Sequence, residues 1–450
     1  MKISADTICA PATSVGTGAV SVIRVSGPEA LPIADKLIRF RSGSAAGSKG
    51  YTLKFGEIPG VDEVVAGIYR APHSYTGEDS VEISCHASRY IAQKILSLLC
   101  EAGARPAEPG EFTRRAFLNG KMDLAQAEAV ADLIAADTQA AHRVAVSQLK
   151  GGYSQELRSL RDSLVEIAAL MELELDFSEE DVEFADRSKL RGLLQKASAH
   201  IAALADSFRA GNAIKNGVPV AIVGPVNAGK STLLNALLGE ERAIVSDIPG
   251  TTRDTVEETL TLGGILFRFI DTAGLRDTAD TIEKKGIERS YASLEKAEVV
   301  VGVLDALAPQ EESHKASEAI KAALSPAQSL ILVRNKVDAL DSVLPVDGLL
   351  DISAKTGQGL DALRSRLLET RGPLVSDNNA TLVTNLRHYE ALRAAGESLA
   401  RVQSGLDAGL SQDLLAEDLR SGICSLNSIF GEVTSSEILE NIFSRFCIGK

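Results

Sequence analysis

Three patterns of apolar and polar residues follow one another along the chain. Near the N-terminus, residues 20–25 and 80–85 alternate apolar with polar side chains, which predicts strands, and residues 89–99 have the spacing of an amphipathic helix. From residue 123 to residue 216, alanine and leucine recur at helical spacing with few prolines, which predicts a helical bundle. Helical composition returns from Leu386 to the C-terminus.

The third pattern lies between the two helical stretches. Short apolar runs at 218–223, 265–270, 330–333 and 349–352 are typical of buried parallel strands. A chain of 450 residues is too long for one hydrophobic core, so two to four domains are expected. We therefore predict a multidomain α/β protein in which an α/β domain is inserted between helical segments.

Composition and charge exclude several classes of protein. Apolar residues make up 45% and charged residues 24% of the chain, as in soluble globular proteins. The chain has no bilayer-spanning apolar run and no signal-peptide core, and its five scattered cysteines suggest neither zinc nor disulfides. We therefore expect a cytoplasmic protein without membrane contact. Because the net charge is −14, any RNA partner would need a local basic patch or a second subunit.

The first chemical motif follows directly on the apolar run at 218–223. Residues 224–231 read Gly-Pro-Val-Asn-Ala-Gly-Lys-Ser, the phosphate-loop pattern, and a helical run begins after them. The backbone N–H groups of such a loop and the helix N-terminus bind phosphates. Lys230 is expected to neutralise the β- and γ-phosphates, and Ser231 to offer a hydroxyl ligand to Mg²⁺.

Two further segments predict the magnesium site and its switch. The run at 265–270 leads into Asp-Thr-Ala-Gly at 271–274, where the aspartate can hold the magnesium water shell and Gly274 can donate to the γ-phosphate. The polar loop 250–254 lies between the two motifs, and its Thr252 is predicted as the second magnesium hydroxyl. Such loops order around the γ-phosphate and relax after hydrolysis.

Guanine selectivity is predicted from Asn-Lys-Val-Asp at 335–338. The Asp338 carboxylate can accept hydrogen bonds from N1–H and from the exocyclic amine of guanine, and adenine lacks that pair of donors. Ser-Ala-Lys at 353–355 matches the loop that closes over the base. The order of these motifs indicates a GTP hydrolase.

The residue that positions the attacking water must differ from the one that Ras-like enzymes use. Leu275 follows the Asp-Thr-Ala-Gly motif where those enzymes carry a water-orienting glutamine, and no arginine finger is evident. Asn227 has two interpretations. Its amide oxygen could hold a monovalent cation beside the phosphates, or it could form a hydrogen bond that stabilises the loop.

Residues outside these motifs resemble the MnmE (TrmE) family of tRNA modification GTPases. They are Thr-Gly-Glu-Asp at 76–79, Gly-Glu-Phe-Thr-Arg-Arg-Ala-Phe-Leu-Asn at 110–119, Lys121, and the terminal Phe-Cys-Ile-Gly-Lys at 446–450. The terminal sequence could also be a prenylation box, but Gly449 and Lys450 suit that interpretation badly. The resemblance covers essentially the whole chain.

The resemblance implies an arrangement of domains and partners. It implies an α+β tetrahydrofolate-binding and dimerisation domain at 1–119, a discontinuous helical domain at 120–217 and 374–450, and an inserted Ras-like phosphate-loop GTPase domain at 218–373. It also implies a homodimer that joins the FAD-dependent partner MnmG (GidA) in a heterotetramer and acts on tRNA. The complex would add a carboxymethylaminomethyl or aminomethyl group to C5 of the wobble uridine. Its carbon would come from 5,10-methylene-tetrahydrofolate, for which 5-formyl-tetrahydrofolate is an analogue.

The resemblance also implies roles for single residues. It places folate on Arg24, Glu82, Lys121 and Lys450, and the bottom-up argument agrees in part, because a pterin presents the same two-donor edge to a carboxylate as guanine does. From the sequence pattern alone, Glu82 would be interpreted as a surface residue of a strand. Glu283 would orient water, with a helix-capping or surface glutamate as the alternative, and Cys447 would act as a nucleophile or proton donor.

The resemblance implies a K⁺ ion held by Asn227, Ser246, Ile248 and Thr251, and the motifs themselves assign Mg²⁺ to Ser231 and Thr252. The predicted GTP-binding residues are Asn227, Ala228, Gly229, Lys230, Ser231, Thr232, Ser246, Asp247, Ile248, Pro249, Gly250, Thr251, Thr252, Asp271, Thr272, Ala273, Gly274, Asn335, Lys336, Asp338, Ser353, Ala354 and Lys355.

Two other functions fit part of the pattern. A ribosome-assembly GTPase would use the same switch without covalent chemistry, and a regulatory scaffold would use GTP only to signal occupancy. Cys447 and the folate-like N-terminal domain argue against the first. The acidic residues at 179–181 fit a solvated loop or a metal site.

Overall fold

The computed structural model of the chain describes most of the sequence. The residues described are 6–14, 16, 18–176, 187–239, 258–270, 294–340, 342, 346, 348–370, 381–432, 435–444 and 446–449. They divide into two compact units, of which the first comprises 1–135, 145–200 and 391–450, and the second 136–144 and 201–390. The domain boundaries expected from the sequence remain a prediction.

The first unit contains a seven-stranded sheet of order β3-β4-β5-β6-β2-β1-β7. Its apolar positions alternate along the strands, and helices α1 and α2 cover the face that carries Ile23, Val81 and Ile83. The strands are β1 Ile8–Pro11, β2 Val20–Ser26, β3 Arg39–Phe40, β4 Thr52–Ile58, β5 Asp62–Tyr69, β6 Ser80–His86 and β7 Arg105–Pro106.

Helices complete the first unit and confirm the helical composition expected after residue 123. Helix α4 begins with a capping box, in which Asp123 accepts from the Gln126 N–H and the Gln126 side chain accepts from the Asp123 N–H. The helices that lie wholly or partly in this unit are α1 Ala30–Leu37, α2 Arg89–Glu101, α3 Glu111–Leu118, α4 Leu124–Ile134, α5 Gln139–Leu149, α6 Gly152–Asp176, α7 Arg187–Asp206, α12 Leu386–Asp407, α13 Gln412–Phe430 and α14 Ser436–Phe443.

The second unit is a doubly wound sheet of order β13-β12-β11-β8-β10-β9, parallel except for β9. Two apolar clusters lie on its faces, one containing Leu233 and Leu363 and the other Ile320. Its elements include α8 Phe208–Asn216, β8 Val218–Val223, α9 Lys230–Leu238, β9 Glu258–Leu262, β10 Ile265–Phe269, β11 Val299–Asp305, α10 Gln310–Ala322, β12 Ser329–Asn335, β13 Leu349–Asp351 and α11 Leu360–Glu369.

This topology brings the predicted motifs to one edge of the sheet. Parallel strands β8, β11 and β12 end in the phosphate loop, at Asp305 and at Asn335, and ligands bind outside such carboxyl ends. Among the described residues, no helix is both long enough and apolar enough to span a membrane.

Candidate functional site

The phosphate loop connects β8 to α9 in the strand-loop-helix order that the sequence predicts. Gly229 caps the helix in a left-handed conformation, with φ of 91°, and Asn227 also has a positive φ, of 64°. Lys230 and Ser231 lie in the first turn of α9, and Thr232 follows them. The loop therefore presents consecutive backbone groups and a helix N-terminus at the same place, as a phosphate site requires.

The Lys230 side chain lies across this loop. Its Nζ donates to the carbonyl oxygens of Gly224 at 2.9 Å and Pro225 at 2.8 Å. Burial lowers the pKa of Lys230, because the ammonium is partly removed from water and faces carbonyl dipoles rather than a formal negative charge. An anion beside the loop would supply that charge, so the loop fits a polyphosphate.

Asn335 connects the guanine motif to the phosphate loop. It lies at the end of β12 with 2% of its surface exposed, and its Nδ2 donates to the Ala228 carbonyl at 2.9 Å. Its Oδ1 accepts from the Ala354 N–H at 2.9 Å. The loop at 353–355 and the phosphate loop are thus held together through one side chain.

The side chain of Asp338 is oriented by a neighbouring loop. The hydroxyl of Ser353, a fully buried residue, donates to Asp338 Oδ1 at 2.7 Å, which leaves Oδ2 free of that bond. Lys355 is exposed at the end of the same loop. This arrangement brings the predicted base-binding residues to one place.

Lys336 has a partner that sequence reasoning missed. Its backbone is left-handed, with φ of 69°, and its Nζ contacts Asp305 Oδ2 at 2.6 Å. Asp305 ends the neighbouring strand β11, and its other oxygen accepts from the Leu307 N–H at 2.9 Å. Only the parallel pairing of β11 and β12 brings this carboxylate to Lys336, so motif spacing gave no signal for it.

Several predicted residues lie outside the described part of the chain. They are Ser246, Asp247, Ile248, Pro249, Gly250, Thr251, Thr252, Asp271, Thr272, Ala273, Gly274, Leu275, Glu283 and Lys450. The acidic residues at 179–181 also fall there. Of the predicted metal ligands, Asn227 and Ser231 are described.

A second group of predicted residues meets in the first unit. The register of β2 and β6 places Arg24 opposite Glu82, and Arg24 Nη2 lies 2.8 Å from Glu82 Oε1. The Arg24 guanidinium also lies 4.9 Å from the centre of the Tyr75 ring and 5.6 Å from that of Phe112. Tyr69 donates to Glu82 Oε2 at 3.4 Å. These contacts fix the cation and the carboxylate on one face of the sheet.

Lys121 lies beside the loop that carries the Thr-Gly-Glu-Asp sequence. Its Nζ donates to the Pro72 carbonyl at 2.9 Å, and Asn119 Nδ2 donates to the Thr76 carbonyl at 2.7 Å. An added Cβ at Gly77 would lie 3.4 Å from the Lys121 side chain. The segment after α3 and the loop at 72–79 therefore pack against each other.

The C-terminal tail, defined as residues 446–449, packs against the same unit. The Gly110 N–H donates to the Cys447 carbonyl at 3.4 Å, and Gly449 lies so close to the Pro11 carbonyl that an added Cβ would overlap its oxygen. Pro11 is paired with Ile23 in the β1–β2 register, next to Arg24. Cys447 is exposed, so its backbone is held while its side chain faces solvent.

Comparison with known proteins matches both the N-terminal part and the rest of the chain. A family model described as the GTP-binding protein TrmE N-terminus matches residues 7–121, and one described as the MnmE helical domain matches residues 124–447. The tRNA modification GTPase MnmE of Bacteroides fragilis is 51% identical over 99% of this chain and 99% of its own. This chain belongs to the MnmE family.

Other relatives agree with that assignment. The tRNA modification GTPase MnmE of Flavobacterium johnsoniae is 48% identical over the whole of both chains. Among solved structures, the G domain of the T. maritima FeoB iron transporter is 27% identical over 34% of this chain and 97% of its own, with a TM-score of 0.26. As an MnmE-family member the chain is a GTP hydrolase of tRNA modification, which confirms the fold and enzyme class expected from the sequence.

The chain also contains a buried charge network that no motif predicted. The Glu111 carboxylate is 1% exposed and accepts from Arg105 Nη2 at 2.6 Å and Arg115 Nη2 at 2.9 Å. Arg115, 4% exposed, also contacts Glu78 at 3.2 Å and Asp6 at 2.7 Å. The network connects the N-terminus, the loop at 72–79 and α3, and single charged residues gave no periodic signal for it.

Proposed function

We propose that this chain uses a GTPase cycle to drive folate-dependent modification of the wobble uridine of certain tRNAs. One observation carries the proposal: the tail that bears Cys447 packs on β1, and the adjacent strand β2 presents Arg24 opposite Glu82. A thiol, a cation and a carboxylate are then available in one compact unit. We propose that the GTPase cycle runs in the other unit.

The nucleotide site is proposed for the second unit. Lys230 and the loop N–H groups would bind the phosphates, and Asp338 would accept from both donors of the guanine edge while the Ser353 hydroxyl orients its carboxylate. We propose the remaining nucleotide contacts at the residues predicted from the sequence. Mg²⁺ would bind Ser231 and Thr252 and supply charge stabilisation at the phosphates. K⁺ would bind Asn227, with Ser246, Ile248 and Thr251.

The folate site is proposed for the exposed face of the first unit's sheet. Glu82 can accept from the two-donor edge of a pterin, and Arg24 orients its carboxylate through a charge-assisted contact at 2.8 Å. Lys121 and Lys450 would supply positive charge for the acidic tail of a folate. 5,10-methylene-tetrahydrofolate would bring the one-carbon unit to this face, and 5-formyl-tetrahydrofolate would bind there as an analogue.

Cys447 is proposed to act directly in the modification. Its backbone is anchored at Gly110 and, through Gly449, at Pro11, while its side chain is exposed. Such a thiol can approach a bound nucleotide, and its thiolate is a competent nucleophile. The alternatives of nucleophile and proton donor stay open.

The proposal includes a homodimer. Leu53 of β4 is 74% exposed, and Phe55 and Val65, which pair with each other across β4 and β5, are also exposed. The pairing Leu53–Gly67–Glu82–Arg24 places these residues on the face that carries the proposed folate site. A second copy covering this face would bury that apolar surface.

A further partner and the tRNA complete the proposed reaction. The new C5 group would be formed together with an FAD-dependent MnmG partner in a heterotetramer. Because the net charge of this chain is −14, that partner or a local basic patch would supply the positive field for tRNA. We place the reaction in the cytoplasm, and we assign the folate, helical and GTPase domains to 1–119, to 120–217 with 374–450, and to 218–373.

The test replaces the chromosomal gene and measures wobble nucleosides by mass spectrometry. Cells without the gene should lose the modified uridine, and cells with only Cys447→Ser should lose it while the purified variant hydrolyses GTP normally. Cys424→Ser, which changes another exposed thiol, is the matched control and should retain the nucleoside. Persistence of the modified uridine without the gene would exclude the proposed reaction and favour a scaffold. Persistence only in Cys447→Ser would exclude the role of that thiol.

A further inference from the structure

The turn that precedes Cys447 packs on a residue that has no side chain. Gly110 caps the N-terminus of α3 with φ of 66°, and a Cβ built on it would lie 2.5 Å from the Phe443 carbonyl oxygen and 3.0 Å from Phe446 Cβ. The same Phe443 carbonyl accepts from the Phe446 N–H at 3.0 Å. Because this oxygen belongs to the backbone of a hydrogen-bonded turn, it cannot rotate away from a methyl group without moving the turn.

The turn itself is firmly seated, so movement at Gly110 would be passed to the tail. Phe443 is 1% exposed and Phe446 8% exposed, and their ring centres lie 5.4 Å apart in an apolar cluster with Leu124. Cys447 follows Phe446 directly, and its carbonyl accepts from the Gly110 N–H. Gly110 therefore interacts with this region in two ways. Its missing side chain leaves room for the turn, and its N–H donates a hydrogen bond to Cys447.

The residues that follow Gly110 lead to the proposed folate site. Glu111 is buried and fixed by Arg105 and Arg115, and the ring of Phe112 packs against the Arg24 guanidinium. Three consecutive residues at the start of α3 thus contact the tail, the buried charge network and the cation that pairs with Glu82.

We propose that Gly110 is a positioning residue for Cys447. By lacking a side chain, it lets the tail seat against α3 and holds the Cys447 backbone at a fixed distance from the Arg24–Glu82 pair. This inference rests on the proposed role of Cys447 in the modification. Gly449 is the second anchor, because its φ of 97° and its closeness to the Pro11 carbonyl leave no room for a side chain.

The test compares glycines that have similar positive φ angles but differ in how closely other atoms surround them. Gly60 has φ of 72° and a Cβ there would meet nothing within 4 Å, so Gly60→Ala carries the backbone strain of Gly110→Ala without the clash. Gly103, with φ of 114° and the same open space, is the matched control for Gly449→Ala. The variants are made in the full chain, and cooperative thermal melting of the first unit is measured first to verify that each remains folded.

Two readouts separate positioning from general destabilisation. Gly110→Ala should raise the hydrogen-exchange rate of the peptide 443–449 at least tenfold, because the turn loses its seat, whereas Gly60→Ala should leave it unchanged. The initial rate at which modified uridine appears after induction in cells lacking the gene should fall at least tenfold for Gly110→Ala.

The outcomes distinguish this inference from the proposed function. If Gly110→Ala modifies tRNA as fast as Gly60→Ala, or if both lose activity equally, Gly110 does not position the tail. If Gly110→Ala does not fold, the pair Gly449→Ala and Gly103→Ala decides by the same readouts. If Cys447→Ser itself keeps the normal rate, the proposed role of the thiol fails, and tail exchange alone still reports whether Gly110 holds the tail.

Discussion

The Asn335 amide donates to the carbonyl of Ala228 at 2.9 Å, so the guanine motif and the phosphate loop are joined through a buried side chain. The same side chain accepts from Ala354, which adds the third base-binding segment. A nucleotide that binds the loop and the base motif together would therefore meet a preformed arrangement. The two ends of the proposed site are coupled before any ligand binds.

Asp338→Asn should reduce GTP affinity on the order of 10²-fold or more. Guanine donates two hydrogen bonds to the carboxylate, and the amide of Asn replaces one of the two accepting oxygens by a donor. Xanthine has a carbonyl in place of the exocyclic amine, so the variant should gain relative affinity for xanthosine triphosphate. Competition for a fluorescent nucleotide measures both. Asp361→Asn, whose side chain is 96% exposed on α11, should bind like the wild type. Unchanged GTP affinity in Asp338→Asn would contradict the base contact.

Hydrolysis should depend on potassium. An arginine finger supplies 10³ to 10⁵ in rate, and a cation held by Asn227 would replace part of that effect. Exchange of K⁺ for Na⁺ at constant ionic strength should slow turnover at least about tenfold. Asn227→Ala should give equal rates in the two salts, whereas Asn235→Ala, exposed further along α9, should keep the difference. Equal rates for the wild-type chain in both salts would reject the cation site.

The sequence predicted the parts of the site that depend on local order. Buried apolar runs gave β8, β10, β12 and β13 within one or two residues, and the phosphate loop follows β8 as its motif requires. The ion pair of Lys336 with Asp305 and the rings around Arg24 were missed. Both sets of contacts join strands or loops that are far apart in sequence. A single charged or aromatic residue forms no repeating pattern from which such a contact could be predicted.

Glu283→Ala should lower kcat by a factor on the order of 10² or more while GTP affinity stays nearly unchanged. Glu283 lies outside the described residues, and the prediction rests on its place twelve residues after Asp271, in the segment 276–287 that the resemblance to the MnmE family implies is a second switch. Single-turnover hydrolysis and nucleotide binding are measured on the same sample. Glu288→Ala, just beyond that segment, controls for loss of charge. A Glu283→Ala variant with normal kcat, or one unable to bind GTP, would favour a structural glutamate.

Arg115→Met should destabilise the first unit by about 3 kcal/mol, because it removes one cationic partner from the buried Glu111 carboxylate. Thermal melting of that unit should shift by roughly 6 to 12 °C. The neighbouring Arg114 is 25% exposed, pairs with the exposed Glu108 at 3.0 Å and reaches Glu111 only at 3.8 Å, so Arg114→Met should cost about 1 kcal/mol. Equal melting shifts for the two variants would show that the buried network contributes no special stability.

The last prediction concerns the apolar sheet face proposed as the dimer contact. Phe55→Glu should raise the dimer dissociation constant at least about 100-fold, because a charge would have to be buried between two copies. Light scattering over a concentration series measures the change in mass. Tyr90 is 68% exposed on α2, the helix that covers the opposite face of the sheet, so Tyr90→Glu is the matched control and should remain dimeric. A wild-type chain that is monomeric at micromolar concentration would contradict the proposed dimer. A Phe55→Glu variant that dimerises normally would show that the dimer contact lies elsewhere. If Phe55→Glu also weakens 5-formyl-tetrahydrofolate binding, the folate site extends to the dimer contact, as its position on the same sheet face suggests.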